Sequence, residues 1–347
     1  MYVLAGSSFP RTLRPGLNIR AFFGKDRWII SGVALGLLYG LAVRISVRFH
    51  VWDKGISVMT WGFVFGVPLV MGFLTVFIAE REYRIPVWKW FLLPWLAVVG
   101  MALGTLLMLL EGFICVAIFL PIGLVCASIG GVAAGIFGRF SKRTRTTDVI
   151  AGCVLFLPLL VTPWESSVLY SKEIRNTETF IDIAAPDTVI WANIERVPAI
   201  QPAELENSWS HRIGFPNPIE ATLSYEGLGG IRHATFGGGV LFVETVDVWQ
   251  PGQRLGFSIR AATDQIPNTT LDEHVRVGGP FFDVLHGEYS LEPLGDGVIR
   301  LHLSSQHRVS TDFNWYASLW TNAIMSDLQN RILHVIKARC EKEAVRR

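Results

Sequence analysis

The sequence predicts a membrane α-helical bundle followed by an α+β domain in which a curved antiparallel sheet wraps one long C-terminal helix. Three observations lead there. The 347 residues are 50% hydrophobic and 17% charged, with a mean hydropathy of +0.38, too apolar for an ordinary soluble protein. Long apolar runs fill the chain up to Trp164, whereas period-2 alternation and Gly-rich turns follow it. The formal charge divides at the same place, because the net +2 is +9 over residues 1–164 and −7 over residues 165–347. The domains are therefore a basic N-terminal segment (1–27), a membrane domain (28–164) and a globular domain (165–347). A nucleic-acid partner has no electrostatic basis, since the basic residues flank apolar runs and the globular half is acidic.

A membrane span needs about 20 mostly apolar residues. Five runs qualify: Trp28–Val47, Ile56–Ala79, Trp88–Leu110, Phe113–Phe137 and the shorter Val149–Trp164, which contains Pro158 and Pro163. Arg44, near the end of the first run, is expected to snorkel to the headgroups. Glu111, the one acidic residue between long apolar runs, is a functional-site candidate by default and reads first as a turn residue at the outer interface; no ionisable pair within the membrane is visible. Lys and Arg are retained on the cytoplasmic side. With a cytoplasmic N-terminus and five spans, twelve cations of this half fall inside and three (Arg44, Arg48, Lys54) outside. That places the C-terminal domain outside the cytoplasm; without a fifth span it is cytoplasmic. Small residues recur every fourth position (Gly32, Gly36, Gly40; Gly62, Gly66; Gly100, Gly104; Gly123, Ala127, Gly131, Gly135), which lets helices approach closely in a compact bundle.

In the second half, Glu178–Ala184 alternates as a strand, and Pro186 and Asp187 suit the first turn of a short helix, Thr188–Arg196. A Pro-rich connection, Val197–Pro218, follows. Strand-like runs then recur at Glu220–Glu226, Ile231–Phe236, Leu241–Trp249, Arg254–Arg260, Phe281–Leu294 and Val298–Arg308, separated by Gly-rich turns as antiparallel hairpins require. The chain closes with a helix, Asp312–Lys342, capped by Thr311 or Asp312. Its apolar stripe of Phe313, Tyr316, Trp320, Ile324, Leu328, Ile332 and Val335 needs a sheet to cover it.

The stretch Thr179–Ala192, with Ala185, Pro186, Val189 and Trp191, resembles the opening strand and helix start of the START-like superfamily (SRPBCC-type), which includes polyketide cyclase/dehydrase and lipid-transport proteins. Glu244–Leu255, Gly287–Val298 and the terminal helix extend the resemblance over residues 175–342. It implies a helix-grip fold with a cavity between sheet and helix that accepts lipids, polyketides or other hydrophobic ligands. It also implies a bacterial plasma membrane as the setting.

Strand parity places Phe242 and Glu244 on one face of their strand, and His307 with the apolar residues of another. Glu244 and His307 are the candidates for acid/base work or for orienting a ligand hydroxyl. Phe242, Tyr289, Tyr316, Trp320 and Ile324 are the expected apolar lining. The four cysteines show no ligand spacing, and no metal or cofactor is expected. Asn268-Thr269-Thr270 matches a glycosylation sequon. These residues suit a membrane-anchored protein that binds or transfers a hydrophobic small molecule or lipid without bond-making. A cyclase/dehydratase-type enzyme, and a non-catalytic protein whose globular module binds a protein partner, are the alternatives.

Overall fold

The computed structural model describes residues 19–48, 58–141, 145–158, 160, 172–262 and 276–346. Most of the basic N-terminal segment, Lys54, the end of the fifth run and the Asn268 sequon lie outside the described residues. Four helices are long and apolar enough to cross a membrane. They are Asp26–Arg48 of α1 (Ile19–Arg48), Gly62–Glu82, α3 (Val87–Leu107) and α4 (Phe113–Phe140). Gly62–Glu82 combines a π-helical turn (Gly62–Gly66) with α2 (Val67–Glu82). Its apolar window is 83% buried against 39% or less for the others, so this helix is the centre of the bundle. The rest turn large apolar side chains outward, among them Leu38, Leu96, Leu103 and Ile129, as lipid-facing helices do.

The small residues bring the backbones together. A Cβ on Gly32 would lie 2.3 Å from the Thr75 carbonyl oxygen, and one on Gly131 would lie 2.2 Å from that of Trp90. The tightest contact is between α2 and α4, where Cβ atoms on Gly72 and Gly130 would each lie 1.9 Å from a carbonyl oxygen of the opposite helix.

The fifth run forms α5 (Arg145–Val154) and then a turn at Leu155–Phe156. The break has a local cause: Pro158 has no N–H to give the Val154 carbonyl, and its ring collides with it. Among the described residues this run makes no helix of spanning length, and its residues 159 and 161–164 lie outside them. It nevertheless climbs along α2. Asp148 pairs with Arg81 at one end, Ala151 packs with Phe73 and Phe77, the Leu155 carbonyl accepts from the Tyr39 hydroxyl at 2.8 Å, and Pro158 covers Gly66. The end bearing Arg81 and Arg139 is called the basic end below. The end formed by the close of α1, the π-helical turn and the α3–α4 turn is the distal end.

Two ion pairs, one with a buried acid and one buried at both members, are invisible in the sequence because their members lie 59 and 67 residues apart, and they close the bundle. At the basic end Glu80 accepts from Arg139 Nε at 3.1 Å, Trp90 Nε1 at 3.2 Å and the Ile85 amide at 3.0 Å. At the distal end Arg44 does not snorkel. It turns inward, 3% exposed, donating to Glu111 at 2.5 Å and to the Leu110 carbonyl at 2.6 Å. The α3–α4 turn, tightened by Leu109 at φ 53°, aims Glu111 back at it.

The second half is a seven-stranded, wholly antiparallel sheet in the order β1-β7-β6-β5-β4-β3-β2. Its strands are β1 (Glu173–Ile183), β2 (Pro218–Leu223), β3 (Ile231–Phe236), β4 (Leu241–Gln250), β5 (Arg254–Ala262), β6 (Phe282–Gly295) and β7 (Val298–Val309). A short helix, α6 (Asp187–Glu195), and the long α7 (Asn314–Ala344) lie on the concave face. This is a helix-grip arrangement. Leu301, Leu333, Ile336 and Ile190 are fully enclosed at its centre. The start of α7 differs from expectation. Neither Thr311 nor Asp312 caps it; Asn314 Oδ1 instead accepts from the Thr311 amide at 2.8 Å and its hydroxyl at 3.0 Å.

Arg339 of α7 straps down the Pro-rich connection, donating to Glu204 at 2.7 and 2.9 Å and to the carbonyls of Pro198 and Ala199. The guanidinium holds the Glu204 carboxyl down at about 2, from an ordinary 4.5. Stabilisation from a depressed carboxylate is complete above its unfolded value and fades as pH falls toward its folded one. Glu204→Gln should therefore melt below the wild type at neutral pH, with the gap closing between about pH 4.5 and 2. A gap of constant size from neutral pH to pH 3 contradicts this. In the bundle, Gly72→Ala or Gly130→Ala should destabilise by about 1–3 kcal/mol through overpacking, read as detergent-resistant unfolding; unchanged unfolding contradicts the close α2–α4 contact.

Candidate functional site

The hairpin between β3 and β4 turns on Gly237–Gly239, where Gly238 and Gly239 have φ of 69° and 82°, angles open to glycine at little cost. This turn fixes the register that sets Arg232 directly opposite Glu244. Both side chains face inward and form a salt bridge with 5% and 7% exposure. Arg232 Nη2 also lies 3.4 Å from the Ile194 carbonyl, its guanidinium sits 5.2 Å over the Phe257 ring, and Tyr289 stands beside it. Burial pushes the Glu244 carboxyl above the ordinary carboxylate range, against the opposing pull of Arg232. Burial also raises the Tyr289 hydroxyl, which is therefore neutral and can act as a donor.

These groups line a chamber of about 100 Å³ between the sheet and α7, the grip chamber, whose other walls include Phe242, Leu303, Leu328 and Ile332. Gln329 enters it from α7, donating to the Thr177 carbonyl at 3.0 Å and the Ser305 hydroxyl at 2.9 Å while accepting from Thr179 at 3.2 Å. It ties α7 to β1 and β7 and leaves the space beside it open.

A second chamber of about 150 Å³, the junction chamber, lies where the grip domain sits on the distal end of the bundle. The seat is a packed cluster of Val64, Phe313 and Tyr316 with Phe65, Ile118 and Trp320 around it, and the Tyr316 hydroxyl donates to the Ile118 carbonyl at 2.5 Å. The chamber is walled by Phe63, Met101, Ile118 and Phe119 from the bundle and by Phe313, Tyr316, Trp320 and Ile324 from α7 and its approach. Arg44 and Glu111 also line it. Among the described residues, Phe215 and Phe282 line both chambers.

The residues singled out in the sequence thus divide. Phe242, Glu244 and Tyr289 line the grip chamber; Tyr316, Trp320 and Ile324 line the junction chamber. His307 is fully buried on the inward face of β7, with its ring 5.8 Å from that of Phe282, and it lines neither chamber. Glu244 and His307 therefore do not share a cavity. Arg232, Gln329, Phe215 and Phe282 escaped sequence reasoning. Only Arg232 had a legible signal, since counting back from the glycine turn pairs it with Glu244. No group of three or more His, Cys, Asp or Glu among the described residues could hold a metal ion.

Burial lowers the His307 imidazole below its ordinary 6.5, with Asn322 as its polar neighbour. The unfolded state therefore takes up a proton that the folded state resists, and stability falls as pH drops below about 6.5. His307→Leu should remove that component of the acid loss, seen by comparing melting temperatures at pH 7.5 and 5.5; an identical acid loss in both proteins contradicts it.

No protein-family model and no curated protein sequence matches the chain. Among solved structures, its C-terminal half is similar to a START superfamily protein from Mycobacterium smegmatis, with 10% identity and a TM-score of 0.32 over 48% of this chain and 98% of that one. It is also similar to the Zhui aromatase/cyclase from a Streptomyces species, with 16% identity and a TM-score of 0.29 over 50% and 96% of the two chains. A norcoclaurine synthase from Thalictrum flavum matches with 15% identity and a TM-score of 0.27 over 47% and 96%.

Proposed function

We propose that the chain is a membrane-anchored carrier whose grip chamber holds a slim apolar molecule by an uncharged polar group. The observation that supports this most is the Arg232–Glu244 pair, enclosed in the wall of an otherwise largely apolar chamber. Burying two charges is costly even when they are paired, and a well-packed apolar pair of similar size is often at least as stable. Their presence in a cavity wall is therefore better explained by recognition than by stability. The pair is neutral as a unit. A carbonyl can accept from the guanidinium, and a hydroxyl can accept from it or donate to the carboxylate, whereas a charged group would remain uncompensated in a low-dielectric site. Together the two chambers fall short of the roughly 300–1,000 Å³ of a drug-sized pocket, which favours a single chain or a small ring system over a two-chain lipid.

An acid/base role for Glu244 and His307 has less support, because Arg232 occupies the carboxylate and His307 lines no cavity. The existence of lined space within the grip domain likewise favours a small-molecule ligand over a purely protein-binding module. For orientation, the fifth run climbs from the basic end toward Gly66, and the grip domain rests on the distal end. With the basic end cytoplasmic, the grip domain is extracytoplasmic, on what the family resemblance makes a bacterial plasma membrane.

The test is binding of a fluorescent long-chain alcohol to the full-length protein in detergent. Wild type should bind saturably. The double variant Arg232→Met, Glu244→Leu removes both charges at similar volume, and should lose at least tenfold in affinity while its melting temperature holds or rises. Equal affinity in the two proteins contradicts the reading.

A further inference from the structure

Resting on the carrier reading, we propose that the junction chamber is a second binding site, where an uncharged single-chain amphiphile drawn from the bilayer lodges before it reaches the grip chamber. Four observations point to it. The chamber is part membrane bundle and part grip domain, so a molecule inside it touches both. Among the described residues its one charged feature is again an internally neutralised pair: the side chains of Arg44 and Glu111 are 3% and 9% exposed and line a largely apolar space. Such a pair accommodates a hydroxyl or ester group and penalises a free carboxylate or phosphate. Its level in the membrane is marked by exposed side chains around the seat, with Trp61 at 37%, Trp315 at 53% and Leu319 at 63%. Exposed tryptophans of this kind sit at headgroup depth, which puts the chamber where a lipid-borne chain can enter sideways. Finally, among the described residues only Phe215 and Phe282 are common to the two chambers. Rotation of two rings is a smaller barrier than unseating the domain.

The π-helical turn Gly62–Gly66 adds to this geometry. It places Phe63 and Val64 in the chamber wall, and such turns within helices are frequent at functional sites.

The experiment uses full-length protein in nanodiscs of phosphatidylcholine and phosphatidylglycerol. A long-chain alcohol carrying a mid-chain diazirine is added, irradiated and mapped by peptide mass spectrometry. Saturable labelling is expected on residues 114–122 and 313–324, and Ala317→Trp, which fills the junction chamber, should cut it at least tenfold. Thr321→Phe fills the same space and serves if Ala317→Trp does not fold. The Arg232→Met, Glu244→Leu protein should keep junction labelling within twofold. Labelling confined to the grip strands and insensitive to both filling substitutions overturns the junction site and leaves the carrier reading standing; labelling of neither chamber overturns both. A matched fatty acid that competes as well as the alcohol overturns the uncharged headgroup.

Discussion

The long helix α7 is the member on which both halves of the molecule depend. Its approach and first three turns, Phe313 to Ile324, rest on the distal end of the bundle, and its later turns, Met325 to Cys340, fill the grip. A helix of 31 residues spans about 46 Å as a single rod. The seat on the membrane and the position of the sheet are therefore set by one rigid element. The Tyr316 hydroxyl on the Ile118 carbonyl and the edge-on contact of Phe65 with Phe313, 5.8 Å between centroids, lock its near end. Gln329 and Arg339 lock the rest to the sheet and to the Pro-rich connection. Both chambers are consequences, since each is space left beside this helix where the bundle or the sheet curves away.

Charge is handled sparingly. The buried acids Glu80, Glu111 and Glu244 each meet an arginine supplied by another element. The first is satisfied by four donors and works as a clamp at the basic end. The other two stand in chamber walls, Glu111 in the junction chamber and Glu244 in the grip chamber. Under the proposed function, an apolar molecule with one uncharged polar group would find a polar partner in either chamber.

Much of this was legible in the sequence. The strand from Ile231 to Phe236 and the chain of apolar residues on α7 follow directly from period 2 and period 3.6, because each of those faces is buried on one side only. The glycine ridges of α1 and α4 read correctly as close contacts. Gly72, whose contact is among the tightest, belongs to no four-residue series, and Gly130 starts a second series on α4 with Ala134 and Gly138 that lies beside the more evident one. What could not be read was partnership across long sequence separation. Arg44 looked like a snorkelling residue because Glu111 reaches it only through the fold of the α3–α4 turn. His307 and Glu244 shared inward parity, yet parity fixes a face and not a position along the barrel, so one lines a chamber and the other is core. The fifth run broke where Pro158 requires, four residues after Val154, but its path along α2 depends on Tyr39 and Gly66, contacts that no local pattern announces.

The central claim is that this space exists to hold one neutral, slender amphiphile. Native mass spectrometry of the full-length protein, released from its own membrane in a mild detergent, tests it most directly. A discrete added mass is expected, at a stoichiometry of one or two, that identifies on dissociation as an uncharged single-chain or small-ring lipid. A bare polypeptide mass, or adducts that are only two-chain anionic phospholipids stripped at low collision energy, would contradict it.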